Sequence, residues 1–202
     1  FHPVGIRAGV LKTDSDFEGI LLKGVAADFD WTKLESFLID GSFPNLSESL
    51  SNEILISETV AKMLDLNLGD QTYAFFQNIF GNKLPNRRKF IVSGIYSSGF
   101  PDIDKNLVYG DIRHIQRLNR WKENEIGSYE LFVNDFSKIQ KTADRLYKRL
   151  PPDLNSIPVY DRFSSVFQWI ALFDFNFLII LVIMLIVGVI NMATALLVLI
   201  LE

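Results

Sequence analysis

The side chains that could support catalysis are few and scattered. There are two histidines, His2 and His114. Neither stands at the close spacing with other ligands that a zinc site needs, so each is expected at the surface or a helix end. Asp102 and Asp104, in FPDIDKN, offer two carboxylates for a hard cation, but the other ligands of a calcium loop do not follow them. Nowhere does the chain read Gly, four residues, Gly-Lys-Ser/Thr, the pattern that wraps nucleotide phosphates in backbone donors. Asn45-Leu46-Ser47 is a formal glycosylation triplet of the kind that arises by chance. With no cysteine there is no disulfide, thiolate nucleophile or thiolate metal site. The polar groups in the least usual setting are Asn191 and Thr194, which, with Gly188, interrupt a long apolar run. An amide there seeks an interhelical partner and a glycine admits a close neighbour, so the chemistry expected of the three is helix packing. Direct contact with a substrate is the alternative for Asn191.

The element that must position them carries no charge between Asp174 and Glu202. As a helix rising about 1.5 Å per residue, 175–201 would reach roughly 40 Å, against a hydrocarbon core of about 30 Å. The competing reading is a core helix of a soluble protein. About eighteen Leu, Ile, Val and Phe residues between Phe177 and Leu201, at roughly 0.3 to 0.6 kcal/mol each, sum to several kcal/mol in favour of the bilayer. Upstream, Phe163, Val166, Phe167, Ile170 and Phe173 recur at spacings of three and four. That spacing predicts an amphipathic pre-membrane helix over 161–176, running into a transmembrane helix over 177–201. Phe163, Phe167, Trp169 and Phe173 stand where aromatic side chains anchor a helix at the interface. No Gly or Pro lies between Arg162 and Val187, which predicts a continuous rod able to carry motion. A passive stalk has the same periodicity.

The rest of the chain has a different composition. Apart from Glu202, all charged residues lie in the first 174 positions, and the net charge of −4 offers no basic stripe for nucleic acid. Arg87, Arg88 and Lys89 read as a solvated strand edge. Phe1, His2 and Pro3 open the sequence without a positive region or apolar run, which leaves either a cytoplasmic domain or an export element upstream. Glu202 ends the sequence inside a helical pattern, as a fragment would.

Short apolar runs alternate with helical patterns. Strands are expected at Glu18–Val25 and Glu53–Ile56. A short helix is expected over Trp31–Ile39 behind an Asp30 cap, and another from a Ser57 cap through Leu64, with Val60, Met63 and Leu64 on its apolar face. Leu68, Gly69 and Asp70 make a turn into strands Thr72–Gln77 and Lys89–Tyr96, joined by a long loop, 78–88, that contains Gly81 and Pro85. After a turn at Gly99, Phe100 and Pro101 come strand Leu107–Tyr109, helix Asp111–Asn119, strand Tyr129–Val133, helix Ser137–Leu150 and a last strand Ile157–Tyr160. The class is α+β, with a β-rich insert over 66–106 splitting a βαβ-type lobe over 1–65 and 107–160.

The ordered series EGILLKGV, EILISETVAKMLDLNLGDQ, RRKFIVSGIYSSGFPDIDKNLVYGDI, IGSYELFV and FSSVFQWI, followed by FNFLIILVIMLIVGVINMATALLVLILE, resembles the permease subunits of the MacB/FtsX-like ABC transporter superfamily. Within it the sequence is most similar to lipoprotein-releasing permeases of the LolC/LolE type, in a Bacteroidetes-like version. The resemblance implies a bacterial inner-membrane protein whose domain faces the periplasm, with a porter-like lobe at 1–65 and 107–160 and a sabre-like insert at 66–106. It also implies that the second of four membrane helices follows the domain. Such a permease is not an enzyme: ATP and Mg²⁺ belong to a cytoplasmic ABC ATPase partner, with no cofactor and no metal in this chain. The other implied partners are a second permease copy or paralogue, a lipid or lipoprotein substrate and a periplasmic lipoprotein chaperone. The loop matching the family's chaperone-recruiting hairpin supplies Gln77, Phe80, Leu84, Pro85 and Arg87 as candidate contacts. An efflux or cell-division mechanotransmitter, and a single-span membrane-anchored adaptor, are the alternative functions.

Overall fold

Alternation along Asn86–Tyr96 shows how this sheet is built: Phe90, Val92, Gly94 and Tyr96 are buried while their neighbours are not. A strand turns successive side chains to opposite faces, so one face of this strand becomes core. The computed structural model describes residues 1–47, 49–81 and 84–201. It divides into two units, 1–132 and 133–202.

In the first unit the strands are β1 (His2–Lys12), β2 (Phe17–Val25), β3 (Leu38–Gly41), β4 (Glu53–Ser57), β5 (Gln71–Phe76), β6 (Asn86–Tyr96), β7 (Leu107–Asp111) and β8 (Ser128–Glu130). Among the described residues they form one mixed sheet in the order β2-β7-β4-β6-β5-β1-β8, with β3 on β6. The β2/β7 and β4/β6 pairs are parallel and the others antiparallel. Because β1 also pairs with β2 along Val4–Lys12, the path through β7, β4, β6, β5 and β1 returns to its start. Its thinnest junction is β4 to β7, joined at Leu55 and Tyr109.

Helices α1 (Glu58–Leu64), α2 (Pro101–Asp104) and α3 (Ile112–Asn119) connect the strands. Ser57 caps α1 as expected, accepting from the Val60 N–H at 3.0 Å, and its hydroxyl donates to the Asp104 carbonyl. Asp111 caps α3, accepting from the Arg113 N–H at 2.9 Å. Leu22, Ile54, Ile56, Phe76, Phe90 and Ile115 lie at the centre of one buried cluster. A second is built on Val25, Phe29, Leu55, Tyr96 and Tyr109. Gly24 lets α3 approach β2, since a Cβ there would stand 2.6 Å from the Ile112 Cα. Gly69 takes φ +83 in the turn before β5, a conformation that glycine adopts without penalty.

Several local expectations give way to long-range pairing. Trp31–Ile39 is not one helix: Asp30 caps a 3₁₀ turn at Trp31–Lys33, a second follows at Glu35–Phe37, and Leu38 and Ile39 join β3. Pairing with Tyr96 and Gly94 of β6 decides that segment. On α1 it is Val60, Ala61 and Leu64 that are buried, whereas Met63 is exposed. Segment 66–106, expected as a separate insert, contributes β5 and β6 to the common sheet, and the unit boundary falls at 132 rather than 160. The strand expected over Tyr129–Val133 is the shorter β8, one position earlier at its start. Strand β1, unforeseen, borders β2, β5 and β8.

The second unit is helical. A 3₁₀ turn at Phe136–Lys138 leads into α4 (Ile139–Tyr147), a narrower element than the helix expected over 137–150. The strand expected at Ile157–Tyr160 is absent. Pro158 brings no N–H to a ladder; instead its carbonyl accepts from Asp161 and Arg162, opening the single turn α5 (Val159–Arg162). Phe163 leaves helical geometry at φ −119, ψ 39, and α6 then runs unbroken from Ser164 to Leu201. The rod therefore starts at Ser164, with a break at Phe163, rather than at Asp161.

Candidate functional site

The loop between β5 and β6 is shorter than expected because β6 begins at Asn86. Arg87 is thus a strand residue paired with Phe75, not a loop residue, and its guanidinium lies 4.8 Å from the centre of the Tyr73 ring. The loop's start is fixed by Arg7 of β1, whose Nη2 donates to the Gln77 carbonyl at 2.8 Å. The Asn78 side chain accepts from the Phe80 N–H at 3.0 Å, turning the chain. Arg120, just past α3, sets its guanidinium 4.3 Å from the centre of the Phe80 ring, a cation–π contact. Gly81 adopts φ +114. Beyond these ties Leu84 is 88% exposed, with Ile79 half-exposed and Pro85 also at the surface. Asn82 and Lys83 lie outside the described residues. The described part of the loop thus combines exposed apolar side chains with a first half held by arginines from separate elements. Gln77 and Phe80 are held on the β5 side of the loop, and Leu84 and Pro85 are exposed on the β6 side. Arg7, Arg120 and Tyr73 complete the setting, and no local pattern signals them because each meets the loop only through the fold.

On the helical side, Phe167 is half-buried, with its ring 4.4 Å from Tyr160 and 5.9 Å from Phe136. This cluster ties the base of α6 to the turns before it. Trp169 and Phe173 are 65% and 67% exposed. Gly188 and Asn191 are exposed on α6, and a Cβ at Gly188 would meet nothing within 4 Å. Thr194 is already satisfied: its hydroxyl donates to the Ile190 carbonyl at 2.6 Å. Of the described residues, α6 alone is long and apolar enough to cross a membrane, and none of its most apolar stretch is buried.

Of the candidates for catalytic or metal chemistry, Asp102 is exposed, while Asp104 and the two histidines pack into the fold. Asp104 is buried, and its carboxylate accepts from the Ser98 N–H and, at 2.7 Å, from the Ser98 hydroxyl, closing the turn before α2. His2 lies against the Phe29 and Phe132 rings. No group of three or more His, Cys, Asp or Glu among the described residues could hold a metal ion. Lys23, little exposed, pairs with Glu130 at 2.7 Å beside Tyr109, whose hydroxyl burial pushes up to about 12, with Glu130 and Asp104 adding to the shift.

His114 sits on α3 with its ring 4.8 Å from that of Phe90 and its Nε2 2.8 Å from the Ser51 carbonyl. Burial lowers its pKa; the Ser51 bond and Asp111 oppose that shift, while Arg88 and Arg117 reinforce it. The folded protein therefore resists a proton that the unfolded chain accepts near pH 6.5. Stability from this group is complete above that pH and is lost as pH falls below it, by at most about 1.4 kcal/mol per pH unit. Urea midpoints of the detergent-solubilised chain between pH 7 and 5 should fall for the native protein and fall less for His114→Gln.

Among solved structures, the chain is similar to the extracellular domain of the noncanonic ABC-type transporter YknZ from Gram-positive bacteria, with 15% identity over 74% of this chain and 72% of that one and a TM-score of 0.48. It is also similar to a domain assigned to a permease protein of Porphyromonas gingivalis, with 18% identity over 75% of this chain and 69% of that one and a TM-score of 0.33. No protein-family model matches the sequence, and no curated protein matches it.

Proposed function

We propose that this chain is the outward-facing domain and following membrane helix of an ABC transporter permease, acting in release of lipoproteins from the inner membrane toward the periplasm. The observation that carries the reading is the direct sequel of an α+β domain and an unburied apolar helix, Ser164–Leu201. A helix of that length spans about 57 Å, so it crosses roughly 30 Å of hydrocarbon and still projects beyond it. The ordered series of sequence stretches supports the permease class. ATP and Mg²⁺ are bound by a cytoplasmic partner ATPase, and this chain's part is mechanical. Displacement of the membrane helix is carried along α6, whose base is braced by the ring cluster of Phe136, Tyr160 and Phe167. The tip bearing Phe80, Leu84 and Pro85 is the docking point for a soluble chaperone that receives the acylated protein. Exposed apolar side chains on a pinned loop bind at little ordering cost, which suits a reversible hand-over.

The test is reconstitution of the full transporter in vesicles with an acylated protein and its soluble carrier. ATP-dependent transfer to the carrier is expected. Replacing Phe80, Leu84 and Pro85 together by serine should cut carrier capture at least about tenfold, since a few central apolar residues dominate such contacts. Folding stability from urea titration should fall by no more than about 1 kcal/mol, because Leu84 and Pro85 are exposed and Phe80 loses only its Arg120 contact. Unchanged capture removes the loop from the account. ATP turnover without movement of acylated protein points to an efflux-type or cell-division mechanotransmitter.

A further inference from the structure

Chemistry that needs no second molecule but water is built into β3. The sequence holds a single Asp-Gly pair, Asp40-Gly41, and no Asn-Gly pair. Both residues are exposed and stand at the end of the strand, which lies off the closed path and, among the described residues, pairs with β6 alone. A bulge between Leu38 and Asp40 breaks the register there. Gly41 takes φ +80 just behind it, and its N–H donates to Oδ1 of the preceding Asp40 at 2.8 Å. The main-chain nitrogen is therefore held against the side-chain carboxyl of its own neighbour. With no side chain on Gly41, nothing of that residue shields the nitrogen.

We propose that Asp40 is a site of spontaneous isomerisation to isoaspartate, set up by this geometry and releasing β3 from the sheet. In the first step the Gly41 nitrogen bonds to the Asp40 Cγ. The amide hydrogen, one carboxyl oxygen and a proton from solvent leave together as water, and a cyclic succinimide remains. In the second step water opens the ring. Addition at Cγ restores aspartate; addition at the main-chain carbonyl carbon of Asp40 leaves the chain running through Cβ and Cγ, with a free α-carboxylate. The product backbone is longer by a methylene ahead of Gly41, and the sheet has no slack to take it. A Cβ on Gly41 would run into the Ser93 carbonyl oxygen and stand 2.9 Å from the Gly94 Cα, and the next N–H, of Ser42, donates to the Ser93 carbonyl at 2.9 Å. β3 therefore leaves β6, while the closed path, to which it does not contribute, stays intact. The site is independent of the permease reading.

The test incubates the detergent-solubilised full chain in heavy-oxygen water at physiological pH and temperature, then digests it with trypsin in ordinary water. The tryptic peptide 34–62 contains no aspartate but Asp40. Isoaspartate is expected at 40, located by fragmentation and carrying a heavy oxygen from the ring opening. In the aged chain, faster hydrogen exchange is expected over 38–42 and not in the rest of the sheet. Asp40→Glu should form the corresponding product at least about tenfold more slowly, because a longer side chain closes a larger ring against one more free rotor. Asp40→Asn should reach the same succinimide with loss of ammonia in place of water, and so gain isoaspartate at least as fast as the native chain. The folded chain should react at least as fast as the same chain in urea, since the fold supplies the approach. No isoaspartate at 40, equal modification of Asp40→Glu, or a faster reaction in urea overturns the site. Isoaspartate at 40 with unchanged exchange over 38–42 overturns the release of β3.

Discussion

Replacing Asp111 with alanine is expected to cost about 3 kcal/mol of folding stability, among the largest losses that any single polar side chain here can produce. The carboxylate is almost wholly buried, and burial alone would raise its pKa; hydrogen bonds from the Arg113 side chain and from the Ser51 and Arg113 N–H groups more than offset this and hold it low. The same Arg113 guanidinium, bonded to Asp111 at 2.5 Å through Nη2, also donates to the Ser47 and Ser49 carbonyls. One aspartate thus caps α3, closes an ion pair and anchors the segment leading into β4. Alanine leaves the Ser51 N–H without its acceptor and takes this carboxylate away from the Arg113 guanidinium. Because the arginine side chain is about 30% exposed, water recovers part of the loss, which places the expected cost at the low end of the usual range for broken buried pairs. Asp111→Asn should lose less, since asparagine still caps a helix. The check is the urea midpoint of the detergent-solubilised chain, followed by Trp31 and Trp121 fluorescence. A loss below about 1 kcal/mol in the alanine variant would mean that the network adds little. The acid dependence has a definite sign: with its pKa lowered by folding, Asp111 contributes stability above about pH 4 that disappears as pH falls through its folded value.

What was legible in advance follows the range of the interactions concerned. Glu18–Val25 and Glu53–Ile56 are apolar runs that form strands, and Ser57 is a cap that acts on a residue three positions away; Asp111, expected inside its helix, proves to be the cap. The sequence pattern carries the two runs and the Ser57 cap directly. β1 is another matter: polar and glycine residues at Gly5, Arg7 and Gly9 dilute its apolar pattern, and the strand exists because β2, β5 and β8 bracket it. The grip of Arg113 on Ser47 and Ser49 joins positions more than sixty residues apart. At the candidate site, the apolar helix is readable from residue type alone, whereas the loop's contact residues are singled out only by the family resemblance. The arginines that hold the loop are legible in neither way, because Arg7 and Arg120 reach it only once β1 and α3 are in place. Arg87 carries two readings, a solvated strand edge and a loop contact, and pairing with Phe75 decides for the strand.

Two arginines placed at Val182 and Leu185 should abolish membrane insertion while leaving the first unit folded. Near the bilayer centre each arginine costs about 2.5 to 3.5 kcal/mol and each lost aliphatic side chain forfeits a few tenths more, so the pair costs about 6 to 8 kcal/mol. That is comparable with the whole favourable sum over the apolar run, at roughly 0.3 to 0.6 kcal/mol for each of about eighteen residues, so nothing reliable is left to hold the helix in lipid. A control with Gln168→Arg, above the run, should insert normally. Carbonate extraction and vesicle flotation read insertion, and the urea midpoint reads the fold. The combination discriminates because the two settings for an apolar helix fail differently. A helix packed in a protein core would take the domain down with it when charged. α6 has none of its most apolar stretch buried, so its loss of lipid should leave the sheet intact. Insertion unaffected by the two arginines, together with a destabilised sheet, would reverse the assignment.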